Sequence, residues 1–234
     1  MPATALPSSG DTPKGASGSV KLCDARGMAE IHRMYRAGFG EAPALVSGVV
    51  EGDSAHADLV GDHLAMLSVA LHAHHEGEDT HLWDTLEQRA PSCAIHVERM
   101  KQHHAELHVH LTQLDAELPG WRTTGRSTDA AAVHSALAGI NASLAVHLPD
   151  EEANIVPVME ATLTPKEVDW FAVHGRKATP KGKTLESLGA ILAAQPDGGA
   201  EWQRVNLPPP VRLLWRLVGK GKYEKNRAEL TGTR

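Results

Sequence analysis

Four stretches of the chain carry an apolar residue every three or four positions, and histidine interrupts each of these stripes near its middle. The spacing predicts amphipathic helices, because residues three and four apart share one face of a helix. A buried imidazole or carboxylate without a partner is strongly destabilising. Polar groups in the core stripes of all four helices must therefore satisfy one another or bind a metal ion.

Clusters of turn-forming residues at 51–54, 89–92 and 118–129 separate the four stretches. They indicate helices at about 24–50, 54–89, 93–118 and 128–162. Short connections between long helices favour an all-α fold, an antiparallel up-down-up-down four-helix bundle over residues 21–163. Residues 1–20 contain almost no large apolar side chain and predict a disordered tail.

Residues 164–234 are rich in proline and predict a C-terminal helical appendage. Its large apolar side chains, among them Trp170, Leu213, Leu214, Trp215, Leu217 and Val218, are too numerous to leave in water, so we expect it to pack on the bundle. Residues 202–234 hold eight basic and two acidic side chains, a local charge of +6 against −12 for residues 1–201. A basic amphipathic stretch at 211–222 leaves an acidic partner or a membrane surface as the alternative.

We expect the polar residues that interrupt the four apolar stripes to lie in one layer of the bundle. In an antiparallel pair, two side chains lie at the same height when the midpoint of their residue numbers falls in the connecting loop. The first helix is represented by position 32. The other three are represented by the centres of the pairs His74/Glu78, His104/His108 and His147/Glu151, which are 76, 106 and 149. The midpoints between successive helices are then 54, 91 and 127.5. All three midpoints fall inside the clusters of turn-forming residues.

The spacings of these polar residues suit metal binding, because donors four residues apart lie one turn apart on the same face. The candidate metal ligands are His32, His74, Glu78, His104, His108, His147 and Glu151. Seven donors are too many for one ion, and imidazole and carboxylate without thiolate favour two carboxylate-bridged iron ions, with manganese or zinc less favoured. Tyr35, one turn from His32, either packs in the core or acts as a hydrogen-bond donor or ligand near the metals.

At these residues the sequence resembles the hemerythrin-like proteins, or HHE cation-binding domains. Residues 74–83 (HHEGEDTHLW) and 147–157 (HLPDEEANIVP) resemble the second- and fourth-helix motifs, and His32 with Arg36 and residues 104–108 (HAELH) match the first and third helices. The resemblance covers about residues 22–163. Oxygen-carrying hemerythrins end the fourth-helix motif with H-x-x-x-x-D, so Glu151 and Glu152 remain alternative ligands here. Many family members have only one histidine on the third helix, so the family pattern supports His104 as a ligand more strongly than His108.

The resemblance implies a non-haem di-iron centre that binds O₂ or a related ligand such as peroxide or NO, with peroxide decomposition as the catalytic outcome. The alternative is an iron, redox or oxygen sensor that acts through the C-terminal extension. A net charge of −6 does not favour nucleic-acid binding, and no apolar run reaches the ~18 residues of a membrane span. Two cysteines are too few for a disulfide scaffold, and the first residues do not resemble a signal peptide, so we expect the protein in the cytoplasm. The sequence leaves self-association open.

The remaining histidines are expected to be peripheral. His72 and His75 have the same four-residue spacing to a carboxylate as the favoured pairs, but their helical faces carry small or polar residues, so we expect them to be solvated or outside the ligand shell. The others are expected at the surface: His56, His63, His81, His96, His103, His110, His134 and His174. Cys23 and Cys93 lie toward the same end of the expected bundle, and we expect them to be unpaired in a reducing compartment.

Overall fold

A computed structural model describes residues 21–233, and the regular structure of this part of the chain is helical throughout, without a β-strand. The disordered tail expected at residues 1–20 lies outside the described residues. The first part contains α1 (Gly27–Ser47), α2 (Ser54–His81), α3 (Trp83–Arg89), α4 (Ala94–Thr124), α5 (Ser127–Asn154) and α6 (Val156–Thr162), with a 3₁₀ turn at Pro91–Cys93.

Two of the helices that the sequence predicts as continuous are each interrupted by one residue. The helix expected at 54–89 is interrupted at Leu82 and the one expected at 128–162 at Ile155. At each interruption the backbone N–H still donates to the carbonyl four residues earlier, from Leu82 to Glu78 and from Ile155 to Glu151, both at 2.8 Å. The chain therefore continues in the helical direction, and the interruptions lie one turn after the two candidate carboxylate ligands.

The third helix is longer than the sequence predicts, because α4 continues past residue 118 to Thr124. Pro119 removes one backbone donor, but Leu118 and Trp121 on the same segment are buried and hold the last turns against the core. The helix ends at Gly125, whose φ of +60° is the left-handed conformation that glycine adopts without strain.

The four long helices pack in a ring, in which α1 and α4 each contact both α2 and α5. Two apolar clusters fill the interior. One contains Phe39, Leu67, Leu71, Leu107 and Leu144, and the other contains Met28, Leu82, Trp83, Met100 and Ile155. Along every one of the four helices the candidate ligands lie between a residue of one cluster and a residue of the other. The polar layer is thus enclosed by apolar core on both sides.

Within residues 21–233, one helical stretch, Ser127–Thr162, is long and apolar enough by length and composition to cross a membrane. It packs between α1 and α4 and buries His147 and Glu151. A core helix of a bundle meets the same criteria of length and composition, so this stretch is weak evidence for a span.

The C-terminal part contains α7 (Pro165–Ala178), α8 (Thr184–Ala193), α9 (Ala200–Asn206), α10 (Pro209–Leu214), a π-helical turn at Trp215–Gly219 and α11 (Lys220–Leu230). Helix α7 contacts α2, α8 contacts α1, and α11 contacts α2 and α8. Leu192, Trp215 and Leu230 are buried within this part of the structure. Leu213, Leu214, Leu217 and Val218 stay 42–70% exposed, so the expectation that the large apolar side chains of this part are covered is wrong at these four positions.

A polar cluster joins the C-terminal helices to α1 and α2. We call it the His63 cluster; its members are Glu41, Asp62, His63, Lys183, Glu186 and Arg227. His63 Nδ1 donates to Glu186 at 2.9 Å, and Arg227 forms a two-point ion pair with Glu41. His63 is 3% exposed instead of lying at the surface as expected, because α8 covers it. Burial lowers the pKa of His63, but the hydrogen bond that it donates to Glu186 and the carboxylate of Glu41, 3.8 Å from Nε2, outweigh burial, and the net pKa is raised.

Candidate metal centre

Seven side chains from the four long helices meet in the polar layer. They form two groups of four whose ligand atoms lie within 4.8 Å of one another: His32, His74, Glu78 and Glu151 in the first, and His75, Glu78, His104 and His147 in the second. Every member is buried except His74, which is partly buried. Glu78 belongs to both groups, so the structure offers two adjacent sites that share a carboxylate.

The two carboxylates reach histidines of both groups. Glu78 directs Oε1 to Nε2 of His74 at 3.2 Å and Oε2 to Nε2 of His104 at 3.3 Å. Glu151 Oε2 lies 3.4 Å from Nε2 of His32 and 3.5 Å from Nε2 of His147. A carboxylate that lies next to histidines of both ligand groups is in a position to bridge two ions.

Two further carboxylates orient the histidines from outside the layer. Asp79 accepts a hydrogen bond from Nδ1 of His104 at 2.7 Å, and Glu152 accepts one from Nδ1 of His32 at 2.9 Å. Trp83 and Arg36 donate to the same two carboxylates, at 2.7 and 2.8 Å. With the Nδ1 proton held outside, the Nε2 lone pair of each imidazole faces the centre, as in metal sites with a carboxylate behind the histidine.

The centre contains buried polar atoms that no hydrogen bond satisfies: Nε2 of His75 and His104, both ring nitrogens of His147, and both carboxylate oxygens of Glu78 and Glu151. Such atoms are costly in a core of low dielectric constant. Two donors bound side by side to one ion at about 2.1 Å lie about 3.0 Å apart. The separations of 3.2–3.5 Å between the donors of this layer approach that value, so the residues fit a bound metal.

The imidazoles of the layer are held neutral or bound to carboxylates. Burial, followed by the neighbouring histidines, puts the pKa of His74 and of His75 well below the usual range and lowers that of His147 to about 2. Burial also lowers the pKa of His104, but the hydrogen bond to Asp79 and the neighbouring carboxylate of Glu78, 3.3 Å from Nε2, outweigh it and raise the pKa to about 10. Neutral imidazole is the form that ligates metal, and His74, His75 and His147 are already in that form. His104, which the neighbouring carboxylates hold protonated, would release a proton on binding an ion.

Burial likewise governs the carboxyl groups. It raises the pKa of Glu78 and of Glu151, and the charge of Glu78 raises that of Glu151 further. For Glu152 burial acts in the same direction, but the hydrogen bonds from His32 and Arg36 dominate and lower its pKa to about 2. Two buried carboxylates that repel each other gain most from a cation placed between them.

The structure brings together six of the seven sequence-predicted ligands and places the seventh elsewhere. His108 is exposed and packs its ring against His72, 5.6 Å away between centroids. His75 was expected to be solvated or outside the ligand shell; instead it is 6% exposed and belongs to the second group. Of the two alternative carboxylates on the fourth helix, Glu151 faces the centre and Glu152 lies behind His32.

Helix geometry explains both positions. The α2 stripe of Leu64, Leu67, Leu71 and Glu78 is centred between His74 and His75, which lie about 50° to either side at 100° per residue. A centre wide enough for two ions can accept ligands from both sides of this stripe, so His74 and His75 can both reach it. The direction in which the whole α2 stripe faces was therefore the sequence signal that could have identified His75. His108 lies about 75° from the centre of the α4 stripe and turns outward.

Tyr35 lies beside the centre without directing its hydroxyl at it. The side chain is 2% exposed, its ring centroid is 5.3 Å from that of His74, and its hydroxyl donates to the Ala70 carbonyl at 2.9 Å. Burial, with a contribution from the charge of Glu78, raises its pKa. The phenol therefore packs against a histidine of the first group and anchors α1 to α2.

Comparison with known proteins identifies the family of this domain. The family model described as the hemerythrin HHE cation-binding domain matches residues 24–159, more than half of the chain. Neither the curated proteins nor the solved structures gave a match to the chain.

Proposed function

The chain belongs to the hemerythrin HHE cation-binding domain family, and on that premise we propose that it is a non-haem di-iron protein that binds O₂ or a related small ligand. The observation that carries the proposal is the pair of ligand groups that share Glu78. For the fold we propose the up-down-up-down antiparallel arrangement of α1, α2, α4 and α5, which is supported by the short connections and by the common layer of ligands.

The proposed ligands of the two ions are the seven residues of the two groups: His32, His74, His75, Glu78, His104, His147 and Glu151. His75 thus takes the place that the sequence alone assigned to His108. Glu78 and Glu151 bridge, since each has histidines of both groups within 3.5 Å. Five imidazoles and two carboxylates without thiolate favour iron, with manganese and zinc as weaker alternatives.

Two iron ions held by these residues, with one coordination position left open, would supply the chemistry for binding O₂, peroxide or NO and for decomposing peroxide. The protein's own residues define the conditions at that position. The apolar clusters on both sides of the layer exclude bulk water, and Asp79 and Glu152 hold the imidazoles of His104 and His32 in place. The proposed location is the cytoplasm, with which two free cysteines, Cys23 and Cys93, are consistent.

A second candidate function, an iron, redox or oxygen sensor that acts through the C-terminal helices, is favoured by one contact. Gly77, next to Glu78, lies directly under α7: a Cβ at this glycine would be 3.3 Å from His174 and 3.5 Å from Trp170. Trp170 in turn stacks on His174 with ring centroids 4.8 Å apart. A change of α2 at the metal centre would therefore reach the C-terminal part directly.

Metal analysis of the protein purified with iron tests the proposal. We expect about two irons per chain and loss of metal in the His74→Ala variant, while the His108→Ala variant, changed at an exposed histidine, keeps its metal. Absorption spectra of the iron-loaded protein in air, before and after peroxide, report ligand binding. A protein that folds normally under iron but holds none would refute the di-iron proposal.

Peroxide turnover separates the two candidate functions. Sustained turnover that the His74→Ala variant lacks supports the enzyme. A protein that holds two irons without turnover, and in which iron changes the protease sensitivity of residues 164–233, supports the sensor.

A further inference from the structure

The last helical rod of the chain, Pro209–Leu230, packs only one side of its surface on the protein. Trp215, Gly219 and Leu230 are buried on that side. The ring of Trp215 lies on Gly219 so closely that a Cβ there would be 2.5 Å from Cε3 of the indole. The π-helical turn at Trp215–Gly219 interrupts the regular helix at this contact, a feature that is frequent at functional sites.

The other side of the rod exposes four neighbouring aliphatic side chains, which we call the leucine face: Leu213, Leu214, Leu217 and Val218, with exposed fractions of 47, 58, 70 and 42%. Scattered apolar side chains are normal on a surface, but a contiguous group on one helix indicates an interaction site. No other element of residues 21–233 covers this face.

A basic rim borders the leucine face. Arg212, Arg216 and Lys220 follow one another at intervals of one turn along one edge, and Lys222 lies beyond the opposite edge. Between Arg204 and Glu224 the sequence has no acidic residue. Like charges one turn apart repel each other, and within the described chain neither Arg212 nor Arg216 forms an ion pair. An anion bound from outside would relieve this repulsion.

The basic rim also lines an open cavity of about 460 Å³ between α9 and the rod. Arg204, Arg212, Arg216 and Lys220 supply its charged wall, and Leu213 and Trp215 supply apolar surface. Arg204 is already paired with Glu201. Lys220 lies 3.7 Å from Glu224 in an exposed ion pair. Arg212 and Arg216 are available for a ligand that combines an anionic head with an apolar part.

We propose that the leucine face docks on the surface of a bilayer with anionic headgroups. The four aliphatic side chains enter the boundary between headgroups and acyl chains, while Arg212, Arg216 and Lys220 contact lipid phosphates. The leucine face itself carries no hydrogen-bonding side chain, as lipid contact requires. A charge of +6 on residues 202–234 against −12 on residues 1–201 directs this side of the molecule to a negative surface.

Co-sedimentation of the full chain, as purified with its metal, with vesicles tests the proposal. We expect binding to vesicles of phosphatidylcholine and phosphatidylglycerol in equal parts, weak binding to phosphatidylcholine alone, and weaker binding at high salt. Reversal of two rim charges, Arg216→Glu with Lys220→Glu, should lower the partition coefficient by about thirtyfold or more, since each cation near an anionic surface contributes about fivefold. The matched control is Arg176→Glu with Lys177→Glu, two exposed cations of α7.

A second variant tests the apolar part. Leu217→Asp, at a side chain 70% exposed, should abolish vesicle binding, whereas Ile95→Asp on α4, at a side chain 72% exposed, should leave it intact. A site for free phosphate alone would be insensitive to Leu217→Asp, and this result would overturn the proposal. Equal binding to both kinds of vesicle, or no binding to either, would also overturn the proposal. A dimer that forms without lipid and that Leu217→Asp dissociates, in a protein that vesicles do not bind, would assign the leucine face to self-association and overturn it as well. None of these readouts depends on the metal centre.

Discussion

Nδ1 of His32 donates a 2.9 Å hydrogen bond to Oε1 of Glu152, the residue that directly follows the fully buried Glu151. The same arrangement recurs on the other side of the layer, where Asp79 follows Glu78 and accepts from Nδ1 of His104 at 2.7 Å. In each pair of adjacent acidic residues the first carboxylate faces the centre, and the second orients a histidine of a neighbouring helix. Adjacent carboxylates thus have different environments and different expected roles.

Replacement of Glu152 by Gln should weaken metal binding without abolishing it. The amide keeps the size of the side chain but loses the charge that holds the His32 imidazole, and loss of such an outer partner lowers metal affinity by about 10- to 100-fold. Competition with a chelator, followed by metal analysis, measures the change. Glu117→Gln, at an exposed glutamate of α4, serves as the control. Equal chelator resistance of the Glu152→Gln variant and the unchanged protein would refute the orienting role.

Replacement of His75 by Ala should lower the iron content below two ions per chain, whereas replacement of His108 by Ala should not. His75 is buried with its Nε2 unsatisfied among the second group, and His108 is exposed beside His72. Iron stoichiometry and the absorption spectrum of the two variants, compared at equal helical content by circular dichroism, decide between them. Loss of iron in His108→Ala with full loading of His75→Ala would return the ligand set to the one expected from sequence.

Replacement of Tyr35 by Phe should leave the iron content unchanged and lower the free energy of unfolding by about 0.5–1.5 kcal/mol, the contribution of one hydrogen bond. The hydroxyl donates to the Ala70 carbonyl and is directed at no donor of the metal centre. Thermal unfolding and metal analysis of the same preparations measure both quantities. A drop in iron content would show that the phenol acts on the centre and does more than join α1 to α2.

The attachment of the C-terminal helices should depend on pH through the His63 cluster. Because the pKa of His63 is raised in the folded protein, its stabilising contribution is complete below about pH 6.5 and is lost as the pH rises through the raised value. The pKa values of Glu41 and Glu186 are lowered, because the neighbouring His63, together with Arg227 at Glu41 and Lys183 at Glu186, outweighs burial. Their stabilising contributions are lost as the pH falls through those lowered values.

Hydrogen exchange of α8 measures this dependence. Exchange should be slower at about pH 6 than at about pH 9 after correction for the intrinsic rate. The variant His63→Gln should lose the alkaline part of the dependence and retain the acidic part. An alkaline loss of protection that His63→Gln does not change would place its cause outside the His63 cluster.

Replacement of Leu192 by Ala should release the C-terminal helices before the bundle unfolds. Leu192 is 3% exposed, and removal of a buried leucine side chain is destabilising by about 2–5 kcal/mol. Limited proteolysis should then cut residues 164–233 faster, while residues 27–162 stay resistant. Val205→Ala on α9, at a side chain 52% exposed, is the control and should behave as the unchanged protein. Identical digestion of both variants would contradict the proposed packing of this part.

The helical periodicity of the sequence is sufficient to predict the long helices of this protein and the position of the candidate metal centre along them. The three- and four-residue spacing of apolar residues identifies the long helices, and the positions of the turns place His32, His74, His104 and His147 at one height, where the structure has them. These properties are local, since they follow from the rise and rotation of a helix, which are the same in every protein. The doublets Glu78-Asp79 and Glu151-Glu152 are equally visible in the sequence.

The packing of the helices against one another selects which of these histidines and carboxylates face the centre. His75 and His108 both lie beside an apolar stripe, and their burial depends on the neighbouring helices: α2 presents both of its adjacent histidines to the wide polar layer, whereas His108 turns away from it. The selection of Glu151 over Glu152 and the burial of His63 under α8 have the same origin. Contacts between distant segments depend on how helices rotate and pack against one another, and a few tens of degrees of rotation, which one sequence does not encode locally, separate a ligand from a surface side chain.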